Sequence, residues 1–267
     1  MSGLFATYFD NYCLGFGFMV EILQDHIPYD VSVKQALPGI APLAPDGWIT
    51  EDEAFAAQMA ERDRLISEIP EKVFCDSGAS PDAKNEVLDQ ILQLLRGRPN
   101  YKISNTYVIR PDGIRVKLGG DPLLTAARLV QEDLCLHEKS AGDEHVLTAG
   151  VLCFPASWTL SEKVGRPLSA VHGPVVEYDE NIAKRVQRLF DGIQSGRPVW
   201  RFNLLQYIRP DLYQPRKETD ARRVDQDYGS GDYTRTEHQS LVRMPKTGSV
   251  LFSIHTYIIK SKPPILK

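Results

Sequence analysis

The sequence has little of what builds metal and redox centres. Its four cysteines, Cys13, Cys75, Cys135 and Cys153, stand far apart and form no C-x-x-C pair, so neither a zinc site nor an iron–sulfur cluster is signalled. Reduced, mostly buried thiols are expected. A cationic excess is missing too: the net charge is -4, which leaves no overall field for phosphates and argues against nucleic-acid binding. The longest apolar stretch, Leu4 to Leu23, is interrupted by Asp10, Asn11 and Glu21 and has neither a basic start nor a small-residue cleavage site. No membrane association and a cytoplasmic location are therefore expected. Internal repeats and low-complexity tracts are also lacking.

Several catalytic signatures are incomplete. Lys246-Thr247-Gly248 has no Ser-x-x-Lys to accompany it, and Gly229-Ser230-Gly231 lacks the spacing of a nucleophile elbow. Gly15-x-Gly17 and Gly119-Gly120 do not continue into phosphate-binding loops, and no His-x-x-x-His pair exists for a zinc protease. Cofactor-free hydrolysis and nucleotide chemistry lose support. Lys246 to Gly248 reads instead as a turn between two strands.

What is present is an ordinary globular composition, 42% hydrophobic and 25% charged over 267 residues, enough to bury a sizeable core. Helical periodicity predicts four helices. The first runs from Glu51 to Ile69 and stops at Pro70; the second opens at Ser80-Pro81 and stripes Val87, Leu88, Ile91, Leu94 and Leu95. A third starts at Asp121-Pro122 with its stripe reaching Leu134, and a fourth spans Glu180 to Ile193. Strand-like runs lie at Tyr101 to Ile109, Ile114 to Leu118, His145 to Phe154, Val199 to Tyr207, Tyr233 to Met244 and Val250 to Ile259. Pro111-Asp112-Gly113 makes the first two a hairpin. The order predicts an α+β fold, an antiparallel sheet with helices packed on one side and additional N-terminal helices. One domain is expected over residues 36–267, preceded by an extension, residues 1–35. The charged, turn-rich stretch Arg209 to Asp232 is a candidate lid.

Strand alternation sorts the late polar residues by face. Arg201 and Asn203 share a side opposite Trp200, Phe202 and Leu204, while Arg235, Glu237, Gln239 and Arg243 share a side opposite Thr236, His238 and Ser240. Such a face is either a solvated sheet surface or a polarised pocket with paired charges. Among the histidines, His26, His137 and His145 read as surface residues. His172 sits in Val171-His172-Gly173-Pro174, a rigid turn that could present one imidazole to a metal. The plainer reading is a turn histidine. His255, beside Ser253 and Tyr257 on its strand face, is a second candidate, with a hydrogen-bonded sheet residue as the alternative. Lys163 and Arg166, in a short corner after Trp158, are cations suited to carboxylates.

These runs carry a family resemblance. Val151-Leu152-Cys153-Phe154-Pro155-x-x-Trp158, Glu162-Lys163-x-Gly165-Arg166-Pro167-Leu168 and Val171-His172-x-Pro174-Val175 closely resemble the central signature of the α-subunit-like haem-dependent oxidative N-demethylases. Arg201-x-Asn203, Arg235-x-Glu237-x-Gln239-x-Leu241-x-Arg243 and Phe252-x-Ile254-x-Thr256-Tyr257 extend the likeness, which covers about Ala36 to Ile259. The resemblance implies a PAS-like domain around haem b, its iron held by His172, or else by His255. Around such a haem, Lys163 and Arg166 are expected to meet its carboxylates, and Arg235 and Glu237 to form a polar wall to which Arg201 or Asn203 adds donors. The implied reaction is oxidation of a small, dimethylamine-like secondary amine by dioxygen with release of formaldehyde. Electrons would come from NADPH through FMN and 2Fe–2S centres on reductase-type partner subunits. Two alternatives are a haem-based PAS gas or redox sensor and a non-catalytic binding subunit. Leu204, where the family usually has tryptophan, and His238, where it usually has arginine, depart from the pattern and bear on the substrate.

Overall fold

The computed structural model of the chain describes residues 21–32, 39–139, 142, 144–172, 180–221 and 231–261, with the side chains of 172, 180, 181 and 183 outside that description. In chain order the elements are β1 (Ala41–Pro42), α1 (Phe55–Glu68), α2 (Pro70–Val73), β2 (Phe74–Asp76), α3 (Pro81–Arg96), β3 (Lys102–Ile103), β4 (Tyr107–Ile109) and β5 (Arg115–Lys117). They continue with α4 (Pro122–Ala127), β6 (Asp133–Glu138), β7 (Val146–Val151), α5 (Leu168–His172), α6 (Glu180–Gly192), β8 (Val199–Tyr207), β9 (Tyr233–Arg243) and β10 (Val250–Lys260). No helix among the described residues is long and apolar enough to cross a membrane.

Local chemistry explains the boundaries. Ser80 accepts a hydrogen bond from the Ala83 amide at the start of α3, and Pro81 occupies the first turn, where an amide proton has no helical partner. Asp121 caps α4 through the Leu123 and Leu124 amides. The helix expected to continue towards Leu134 nevertheless ends at Ala127. Beyond it Gln131, Glu132 and Asp133 are all buried and each is drawn into polar contacts with distant residues, so the chain leaves the helical path and enters β6. The predicted hairpin forms as β4 and β5 around Gly113, whose φ of 82° suits the turn.

The main sheet is antiparallel and seven-stranded, in the order β1-β8-β9-β10-β6-β7-β2. Strand β10 lies at its centre, paired with β9 from Val250↔Arg243 to Lys260↔Tyr233. The turn joining these strands has Gly248 at φ 72°, and buried Glu86 accepts from the Lys246 and Thr247 amides. One face, carrying Leu134, Leu136, Ala149, Val151 and Leu251, packs with α1, α3 and α4 into the main core. Helices were expected on one side only, yet α5 and α6 cover the opposite face. The apolar stripe of α6 is the reason: Phe190, with Ile193 just beyond the helix, packs with Leu168, Leu241 and Val250. Arg243 fixes the end of α6, donating to the carbonyls of Phe190, Ile193 and Gly248.

The N-terminal segment 21–32 docks on the far end of β10. Gln24 exchanges hydrogen bonds with the Ile258 backbone and donates to Thr256 O. Tyr29 packs on Trp200, Phe202, His238 and Tyr257. Residues 1–20 and 33–35 of the expected extension lie outside the described residues.

A charged pair links the helical layer to the sheet. Arg62 of α1 and Asp133 of β6 are both fully buried, 2.9 Å apart, and Asp133 accepts from the Cys153 and Phe154 amides at 2.8 and 2.9 Å. The Arg62 guanidinium also lies 4.6 Å above the Phe154 ring. Removing the carboxylate strands a buried guanidinium and two amides. Asp133→Ala should therefore cost about 3–5 kcal/mol of stability in urea unfolding, whereas a loss below about 1 kcal/mol would contradict this account.

Candidate functional site

A cavity of about 430 Å³ lies between the second face of the sheet and the α5–α6 layer, a size in the usual range for cofactor pockets. Alternation builds it: Cys135 of β6, Leu241 of β9, and Phe252 and Ile254 of β10 project from the sheet, while Val171, Val186, Leu189 and Phe190 face them from the helices. The wall is mostly apolar, and its polar end comes from β8 and β9. There the register sets Asn203 opposite Glu237 and Arg201 opposite Gln239, with all four lining the cavity. Of the two readings open from sequence, this part of the face is a polarised pocket.

Glu237 is the centre of that end. Its Oε2 accepts from Asn203 Nδ2 at 2.7 Å and Gln239 Nε2 at 2.9 Å, and its amide donates to Asn203 Oδ1 at 2.8 Å. Its Oε1 lies 3.7 Å from Arg235 and has no hydrogen bond among the described residues. Burial raises the carboxyl's pKa, and the Arg235 charge and the two amide donors oppose that rise without cancelling it. Arg235 is fully buried but does not line the cavity: it donates to Phe154 O at 2.6 Å and Leu212 O at 3.1 Å. Arg201 does line it. Burial pushes its guanidinium pKa down against the pull of Glu237, and its Nε has no hydrogen-bond partner among the described residues.

The rim is closed by the first part of the stretch expected as a lid. Lys163 donates to Glu218 at 2.6 Å and to the Val171 carbonyl at 2.7 Å, and Arg166 lies 3.3 Å from the same carboxylate. Thr159 Oγ1 donates to Arg216 O and the Glu218 amide to Glu162. Lys163, Arg216 and Glu218 line the cavity, whereas Arg166 does not. Residues 222–230 of the stretch lie outside the described residues.

The histidines separate by place. His172 is the last residue of α5, directly after the cavity-lining Val171, and its side chain lies outside the described residues. His255 projects from the reverse face of β10. Its Nδ1 meets Glu132 and its Nε2 meets Asp52, both at 3.0 Å, so neither ring nitrogen is left for iron. His137 and His145, expected at the surface, are buried because both pack on Phe190, at ring distances of 5.2 and 5.3 Å. His137 lines the cavity. Sequence reading missed it because strand β6 was missed; alternation within His137-Leu136-Cys135 would have placed it beside Cys135's face. Leu204 and His238, the two departures from the family pattern, lie on the reverse face, where His238 stacks on Trp200 at 4.5 Å. They do not shape the cavity wall.

This is an α+β protein with a largely apolar cavity whose polar end holds a buried carboxylate, Glu237, and a half-buried guanidinium, Arg201. The family model for haem-dependent oxidative N-demethylases, alpha subunit-like, matches residues 39–262, and the chain belongs to that family. The family's name speaks of haem dependence and of likeness to an alpha subunit. The residues present suit a haem. A flat apolar macrocycle would meet apolar walls on the sheet and on α6, and its carboxylates would meet Lys163 and Arg216 at the rim, where Arg216 Nε is buried without a hydrogen-bond partner among the described residues.

His255 generates a pH prediction. Burial alone would lower its pKa, but hydrogen bonds to Asp52 and Glu132, with their charges, raise it to about 9. A raised folded value means that the stabilisation is complete below the ordinary histidine value near 6.5 and is lost as pH rises through 9. Stability should fall by on the order of 3 kcal/mol between those limits. His255→Gln should flatten that part of the thermal-melting profile; an unchanged slope would refute the assignment.

Proposed function

We propose that this chain is the haem-carrying catalytic subunit of an oxidative N-demethylase for a small secondary methylamine. We take the sheet and its one-sided cavity as a PAS-like scaffold, residues 36–267 as one domain, and the cytoplasm as its location. Glu237 carries the reading. A buried carboxylate with one oxygen tied down and the other lacking a hydrogen bond is suited to an ammonium or amine N–H, and it stands at the polar end of a pocket in a family of N-demethylases. The balanced change is R–NH–CH3 + O2 + 2 electrons + 2 protons to R–NH2 + formaldehyde + water. A reductase-type partner with NADPH, FMN and 2Fe–2S centres supplies the electrons.

When bound, the haem supplies the iron that activates dioxygen. The protein's own residues bind and orient. Lys163 and Arg216 would hold the haem carboxylates at the rim, with Arg166 beside them on Glu218; His172 would ligate the iron, and the apolar wall would exclude water. Glu237 holds the amine nitrogen and accepts its proton, while Asn203 and Gln239 hold the carboxylate in one orientation. Arg235 is a positioning residue: anchored on Phe154 and Leu212, it keeps a positive charge behind Glu237 Oε1. Because His137 also reaches the cavity, it is the second reading for the iron ligand.

His172→Ala should abolish haem retention and the Soret band while His137→Ala keeps both; the reverse pattern transfers the ligand role to His137. Reduced protein mixed with oxygen and dimethylamine should release formaldehyde, and its absence would favour the sensor or binding-subunit alternatives. Amine affinity should rise with pH as Glu237 ionises, with a midpoint above the usual glutamate value of about 4.3. Glu237→Gln should weaken amine binding by roughly 10- to 100-fold and erase that midpoint, as read by spectral titration.

A further inference from the structure

Arg201 lines the cavity and pairs with no carboxylate among the described residues. Among the described residues it forms no ion pair and no hydrogen bond, and its Nε is buried. This differs from the rim, where Lys163 and Arg166 already share Glu218. Arg201 and Glu237 are diagonal neighbours on adjacent strands, roughly 7–8 Å apart at that geometry. Their charged atoms do not come within the 4.0 Å of an ion pair. The cavity wall thus holds a negative and a positive group as neighbours, each with a polar atom that has no hydrogen bond among the described residues.

We propose that the substrate is zwitterionic, an N-methyl amino acid whose methylammonium rests on Glu237 and whose carboxylate rests on Arg201. The proposal depends on the reading of this cavity as the amine-oxidising site and narrows it. A guanidinium half withdrawn from water gains from an anion that meets it, and its planar fork suits a carboxylate. Dimethylamine satisfies only the negative pole. An N-methyl amino acid satisfies both with one small molecule. A haem carboxylate could supply the same chemistry to Arg201, and the experiment separates the two sources.

The test titrates purified full-length protein with N-methylglycine, N-methylethanolamine, dimethylamine and acetate, reading the Soret band and the thermal-melting shift. N-methylethanolamine keeps the amine and replaces the carboxylate with a hydroxyl group. The expected result is that N-methylglycine binds at least about tenfold tighter than either amine, as a charge-assisted hydrogen-bonded contact implies. Arg201→Gln should collapse this preference, and Arg201→Lys should restore part of it. Equal affinities across the series in the wild-type protein overturn the proposal without need of a variant. Loss of haem from Arg201→Gln, with no ligand preference in the wild type, assigns Arg201 to a haem carboxylate and also overturns it. A colourless protein would sink the demethylase reading instead; a melting shift selective for N-methylglycine in that protein would still uphold the two-pole seat.

Discussion

The structure depends on a line of buried charge that begins in the helical layer and ends in the cavity. Arg62 neutralises Asp133, Asp133 holds the amides of Cys153 and Phe154, and Arg235 takes the Phe154 carbonyl from the other side before facing Glu237. Each member would be costly alone in a low-dielectric interior. Together they pin the segment that leaves β7 and fix the position of a carboxylate that the cavity needs. Stability and site geometry are here consequences of the same contacts.

The two faces of the sheet divide the labour. On one, alternating aliphatic residues meet α1, α3 and α4 and make the principal core. On the other, α6 turns its apolar stripe inward and packs on Leu241 and Val250, while polar residues of β8 and β9 line the cavity beside it. Arg243 clamps the C-terminal end of that helix by its carbonyls, which also places a cation at the negative end of the helix dipole. The cavity lies between that covering helix and a strand face that is apolar under the helix and polar only at the β8–β9 end.

Strict alternation made β8 legible to the residue, and with it the shared face of Arg201 and Asn203. The same period put Glu237 and Gln239 on one side of β9. Burial of that side was not legible, because it depends on α6 lying across it. Strand β6 escaped because Leu124, Ala127, Val130 and Leu134 fall at helical spacing, while the contacts that end the helix at Ala127 reach residues tens of positions away. With β6 went Cys135 and His137. The environment of His255 was hidden for a related reason: its carboxylate partners, Asp52 and Glu132, are distant in the chain.

That histidine constrains the assembly of the sheet. Strand β10 is central, so its register with β9 decides which side chains enter the pocket. A slip of one residue would carry the charged imidazole in among Phe190 and Val186 and leave Asp52 and Glu132 facing an isoleucine. Three stranded charges make the misaligned sheet far costlier than the aligned one. The pair of acids on the reverse side therefore acts as a proofreading mark, by which the chain distinguishes the correct alignment from its nearest error.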